Sequence, residues 1–172
     1  MGTFVYFCHT TLQVPRVARQ CMVALCEGAA GCGTESEIVS IRVRLNSAEP
    51  LHPPFAQLYQ IDLPVHHTAF RLPWATANDG GSLSGFLRLA AYTAYALKLA
   101  VKNRMSGALP RVLSARNYSV LAMLALVKWM FRVPWVVLAD VHGPCRTRFQ
   151  RWVHRFVDGN VCISQYLADH LI

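Results

Sequence analysis

The sequence predicts an α/β fold of Rossmann-like type, a parallel sheet with helices on both faces. Short apolar runs alternate with helix-period stretches along most of the chain, the pattern of repeated βα units. The runs TFVYFC and PWVVLA lack the strict polar–apolar alternation of a half-exposed sheet, as strands covered on both sides do. Polar residues follow these runs directly: His9-Thr10-Thr11, Arg116-Asn117-Tyr118 and Asp140 to Gly143. Open α/β sheets bind ligands at such strand ends.

The elements follow in order. Thr3–Cys8 is the first strand. Val17, Cys21, Ala24 and Leu25 recur at helical spacing within Pro15–Glu27, and Pro15 suits a first turn. Gly28–Glu35 reads as a loop and Glu37–Leu45 as a strand, which completes an opening βαβ unit. Five prolines punctuate Asn46–Gly85 (Pro50, Pro53, Pro54, Pro64 and Pro73), so this region is expected to be irregular, with one short strand at Leu58–Leu63. Asn78 to Gly81 marks a turn, and Ser82 or Ser84 can cap the next helix. That helix, Leu83–Asn103, is the longest periodic element. A strand at Arg111–Ala115, a helix at Tyr118–Phe131 and a strand at Pro134–Ala139 come next. A helix at Phe149–Phe156, a strand at Asn160–Ile163 and a helix capped by Ser164 complete the series. The last helix reaches Ile172 after roughly two turns without a C-cap signal, which suggests a chain cut from a longer protein.

Composition narrows the function classes. The chain has 172 residues, one domain's worth, and 53% of them are hydrophobic against 15% charged, which excludes disorder. So much apolar surface either covers both faces of a sheet or is kept for a membrane or a partner. Net charge is +8, with basic groups at Arg42–Arg44, Lys98–Arg104 and Arg146–Arg155. Such a field favours anionic lipid or phosphate-bearing ligands. No nucleic-acid motif is present, and nucleic acid is not expected as a partner. GxGxxG and GxxxxGK[ST] are missing too, which argues against dinucleotide and P-loop sites. The six cysteines show no CxxC spacing and read as structural thiols of a reducing compartment. His66-His67 lacks a third ligand at a recognisable spacing, so no metal is expected. The N-terminus has neither the basic region nor the cleavage site of a signal peptide. The most apolar stretch, Val120–Leu138, is broken by Lys128, Arg132 and Pro134, short of the roughly 18 residues of a spanning helix. The expected location is cytoplasmic, with any membrane contact peripheral, on the inner face.

Three patches carry a family resemblance. The first is Val14–Gln20 (VPRVARQ), followed by Leu25, Gly28 and Glu37-Ile38-Val39. The second is Val112–Tyr118 (VLSARNY). The third is Pro134–Gly143 (PWVVLADVHG), with Val157-Asp158 and Val161–Ser164 downstream. In this order they resemble the N-terminal domain of glycosyltransferase family 4, retaining enzymes of the two-domain GT-B architecture. The chain departs from the family at His9–Leu12, which replaces a glycine pair, and in the longer Gly28–Glu37 segment. The resemblance implies that residues 1–172 are the acceptor-side domain and that the nucleotide-sugar-binding C-terminal domain lies outside them. It implies a nucleotide-sugar donor and a glycan, lipid-linked or small-molecule acceptor as partners, with no cofactor and no metal.

The candidate site residues come from strand-end placement and this resemblance together. His142 is the catalytic candidate, because the family has a histidine close to the reacting sugar at this position; an imidazole there can bond a sugar hydroxyl. Its bland alternative is a loop histidine bonded to backbone. Asp140 either orients His142 or caps the segment that follows. His9, Thr10, Arg16, Arg116, Asn117 and Tyr118 are candidates for acceptor binding. Arg16, like Arg19, is equally readable as part of a solvated helix face, and Asn117 as an N-cap. Gly143 and Ser164 are placed on the phosphate or donor side, Ser164 also being a natural N-cap. The helix Leu83–Arg104 carries basic and aromatic residues suited to an anionic interface, or else it covers the sheet with a snorkelling rim. For the whole chain the competing reading is a non-catalytic Rossmann-like module that docks on anionic membrane or a partner protein.

Overall fold

The computed structural model describes residues 2–8, 12, 17–44, 55–76, 82–106 and 111–162. Their elements run β1 (Thr3–Phe7), α1 (Val17–Gly31), β2 (Glu35–Arg44), α2 (Phe55–Tyr59), β3 (Val65–Thr76), α3 (Ser82–Ser106), β4 (Arg111–Ala115), α4 (Tyr118–Phe131), β5 (Val136–Val141), α5 (Arg148–His154) and β6 (Gly159–Cys162). The six strands form one sheet in the order β3-β2-β1-β4-β5-β6, and each neighbouring pair is parallel. This is the Rossmann-like architecture. The direction of strand addition reverses between β1 and β4, and such a switch point opens a crevice beyond the strand ends.

Alternate strand residues feed two cores, as the two-residue period of a strand requires. On one face Val5, Phe7, Leu113, Val137 and Ala139 pack with Tyr92, Ala96 and Leu99 of α3 and Leu121, Leu124 and Val127 of α4. On the other, Phe4, Tyr6, Cys8 and Ile38 pack with Met22, Val23 and Cys26 of α1. Burial of both faces explains why the strands read as unbroken apolar runs.

Local chemistry sets the helix ends. Asn117 caps α4, its side-chain oxygen accepting from the N–H groups of Ser119 and Val120, and Arg132 closes that helix in the left-handed region. Thr147 and Gln150 form a reciprocal capping box at the start of α5.

Three expectations are corrected. The long irregular region contains β3, twelve residues long. Pro73 lies within it, which is tolerable because β3 is an edge strand bonded on one side only, to β2. Leu58–Leu63 is not a strand. The short helix α2 occupies Phe55–Tyr59, and Gln60 ends it at φ 53. The loop expected from Gly28 starts later, because α1 continues through Gly31, and the turn into β2 uses Gly33 at φ 75. Pro15, the Asn78–Gly81 turn, Ile163 and the helix after Ser164 lie outside the described residues. Among the described residues, no helix is long and apolar enough to cross a membrane. Helix α3 lies on the sheet. Tyr92 is buried, Tyr95 packs against the same core, and Phe86 is the one exposed aromatic ring on this helix.

Candidate functional site

Three strands bring their polar residues together near the switch point. Arg116 follows β4 directly, Asp140 is the penultimate residue of β5, and His142 comes just after β5. Tyr6 reaches the same place from β1. It pairs with Ser114, which pairs with Leu138 in turn, and Asp140 lies two residues beyond on the same face. The small Ser114 side chain between them leaves the phenol room to cross β4.

Asp140 is the hub. Its Oδ2 accepts from the Tyr6 hydroxyl at 2.5 Å and from Arg116 Nε and Nη2 at 3.2 and 3.1 Å. Its Oδ1 lies 2.8 Å from His142 Nε2. Arg116 Nη2 also touches His142 Nε2. The carboxylate is 6% exposed and the Arg116 side chain 18%. A charge this buried persists only when paired and hydrogen-bonded, and Arg116 and Tyr6 supply both conditions.

The electrostatics follow from these contacts. Burial, and then the neighbouring Asp140 carboxylate, push the Tyr6 phenol far above its ordinary range. Tyr6 is therefore a fixed donor. His142 Nε2 stands between an acceptor, Asp140, and a guanidinium that only donates, and one nitrogen cannot satisfy both. With the proton on Nε2 the ring donates to Asp140, and Nδ1 has no hydrogen-bond partner among the described residues. The imidazole side chain is 25% exposed. The arrangement is a carboxylate-oriented histidine with one ring nitrogen left for a ligand, beside an arginine whose Nη1 is not used on Asp140. It can hold a hydroxyl or an anion and can move a proton.

The other candidates are placed as follows. Asn117 Oδ1 is taken up by the cap of α4, at 2.9 and 3.3 Å from two backbone N–H groups. Tyr118 makes a separate set of contacts. Its hydroxyl lies 3.7 Å from Cys145 Sγ and 3.2 Å from His154 Nε2, and burial followed by Cys145 raises its phenol. His154 Nδ1 continues that chain to Asn160 at 2.8 Å. A Cβ added at Gly143 meets nothing within 4 Å, so open space lies over Gly143 itself. His9, Thr10, Arg16 and Ser164 lie outside the described residues, as does the side chain of Arg19. His67 bonds Ser40 at 2.7 Å and packs on Phe55, at the β2–β3 edge of the sheet. Among the described residues, no three His, Cys, Asp or Glu side chains gather as a metal site would need.

Asp158, part of the third resemblance patch, has a structural task. It accepts from the Val137 N–H at 2.7 Å and pairs with Lys128 at 2.5 Å, fixing the start of β5. Sequence reasoning missed Tyr6, which sits inside an apolar run and shows its role only once β1, β4 and β5 are aligned. No protein-family model matches this chain, and no curated protein matches it significantly.

Proposed function

We propose that this chain is the acceptor-binding half of a retaining glycosyltransferase, which moves a sugar from a nucleotide-sugar donor to a glycan, lipid-linked or small-molecule acceptor without a metal. One observation carries the reading: Arg116 and His142, 26 residues apart and drawn from two different resemblance patches, both bond Asp140 at the C-terminal edge of the sheet. Ligands of open α/β sheets bind at this edge. The fold class and the six free thiols, which suit a reducing, cytoplasmic setting, agree with it.

The residues divide the work. Asp140 holds the His142 ring, which faces an acceptor or donor hydroxyl through its free nitrogen. Arg116 neutralises Asp140 and offers its remaining N–H groups to a phosphate. Gly143 leaves backbone accessible beside the reacting groups. A donor domain would supply the second wall that excludes water and aligns the reactants. On this reading the 172-residue chain by itself has little or no transferase activity.

The reading frame beyond the Ile172 codon tests it. The proposal expects a second Rossmann-like half carrying a glutamate-rich donor site. A stop codon directly after Ile172, or turnover by the purified 172-residue chain, would contradict it.

A further inference from the structure

Two neighbouring helices expose large apolar side chains that nothing in the described fold covers. Leu126, Trp129 and Met130 project from α4, Phe149 and Trp152 from α5, and Phe156 from the turn after it. Trp129 is 76% exposed. Phe149, Trp152 and Phe156 form a continuous row, with ring centroids 6.1 and 4.7 Å apart. Between the helices runs a groove of about 650 Å³, floored by Ala122 and Ala125 and walled by Leu126, Trp129, Trp152 and Phe156. Contiguous apolar surface with a polar rim marks an interaction site.

The rim identifies the partner. From Tyr118 to Val157 the chain carries six basic residues, Lys128, Arg132, Arg146, Arg148, Arg151 and Arg155, against one acid, Asp140. Asp140 is buried and paired with Arg116, so it does not offset them. Asp158, the next acid along the chain, pairs with Lys128, so those two charges cancel and the five arginines carry the positive charge. Exposed aromatic side chains flanked by basic ones suit a helix face seated at a lipid–water boundary. A second copy of the chain would set this positive rim against itself, which like-charge repulsion disfavours. A domain closing over the candidate site would leave the Trp129–Phe156 end of this face open, because Arg132 leads into the start of β5 and Phe156 into the start of β6, whereas Arg116 and His142 stand at the opposite ends of the strands.

We infer that the outer face of α4 and α5 docks on an anionic bilayer surface, its aromatic row entering the headgroup boundary and its arginines meeting lipid phosphates. The inference does not depend on the transferase reading. It also moves the membrane face away from α3, whose aromatic residues lie largely on the sheet.

Flotation of the full chain with vesicles tests it. Vesicles of phosphatidylcholine alone are compared with vesicles in which roughly a third of the lipid is phosphatidylglycerol. The chain should float with the anionic vesicles and be released by salt. Replacing three surface arginines (Arg148→Gln, Arg151→Gln, Arg155→Gln) should weaken anionic binding by about 100-fold, taking each as a near-surface charge. Trp129→Glu with Trp152→Glu should abolish flotation. Circular dichroism and melting of both variants should match the wild type, because these side chains are exposed. His142→Ala should float normally, which separates this surface from the candidate site. Equal binding to both vesicle types, or unchanged flotation of the tryptophan variant, would overturn the inference. So would a vesicle-free oligomer that the tryptophan variant dissolves, since a second copy would then occupy the face.

Discussion

The two ends of α4 are put to opposite use. Its N-terminal end is fastened: Asn117 caps the helix, and the adjoining Arg116 is locked onto Asp140 with Tyr6 and His142. Its C-terminal end leaves Trp129 and Met130 in solvent beside Arg132. The first region is organised by the chain's own polar bonds across three strands, so a ligand meets groups already in place. The second exposes apolar surface that no described residue covers, and docking is the role proposed for it. Substitutions should therefore cost stability at the fastened end and association at the open end.

The largest stability effect should come from Asp140→Ala. It leaves Tyr6 without its acceptor and Arg116 without its counter-charge, and the loss should be about 3 kcal/mol in urea unfolding. A loss below about 0.5 kcal/mol, the ordinary range of surface substitutions, would show that the cluster is not a coupled unit. Tyr6→Phe should cost about 1–3 kcal/mol by orphaning part of a buried carboxylate. It also has a pH signature. Because the folded state raises the Tyr6 phenol, its contribution is fully present below the ordinary phenol value of about 10. It is lost as pH rises above that value, where unfolded chains ionise and folded ones do not. Tyr92 and Tyr95 are raised by burial as well, so the wild type should lose stability steeply in alkali, and Tyr6→Phe less steeply. Equal slopes in alkaline denaturation would remove Tyr6 from this account.

Asn117→Ala should cost about 1 kcal/mol, the usual value of an N-cap, with its effect confined to the start of α4 in hydrogen exchange. Smallest of all, Trp129→Ala with Trp152→Ala should change stability by no more than about 0.5 kcal/mol in the same urea experiment. A larger loss would mean that these rings support the fold rather than a docked surface.

The same contrast explains what could be read from the sequence. Strands β1, β4 and β5 announced themselves as apolar runs because both faces of the sheet are covered. Strand β3 did not, because an edge strand tolerates Pro73 and the polar His66, and Pro73, with Pro64 just ahead of the strand, reads as a breaker. Arg116 and His142 were legible as polar residues at strand ends. Tyr6 was not, since its partner is 134 residues away and only the strand order brings the two together. Asn117 was open to two roles, and its hydrogen bonds show it capping α4. The open face was hidden for another reason. Helix α4 is apolar on nearly every side, so periodicity does not separate Leu124, which is buried, from Trp129, which is exposed. On Leu83–Arg104 the periodicity does not separate Tyr92, which is buried, from Phe86, which is exposed, for the same lack of a third dimension.

We propose that the Tyr6–Arg116–Asp140–His142 cluster serves sugar transfer. The most direct test follows label from a panel of UDP-, GDP- and ADP-sugars into lipid and glycan extracts, using the product of the whole reading frame that contains this chain. The account predicts transfer from at least one donor, reduced at least about 100-fold in His142→Ala while melting and vesicle binding stay at wild-type values. Transfer that survives His142→Ala unchanged, or no transfer from any donor, would contradict it.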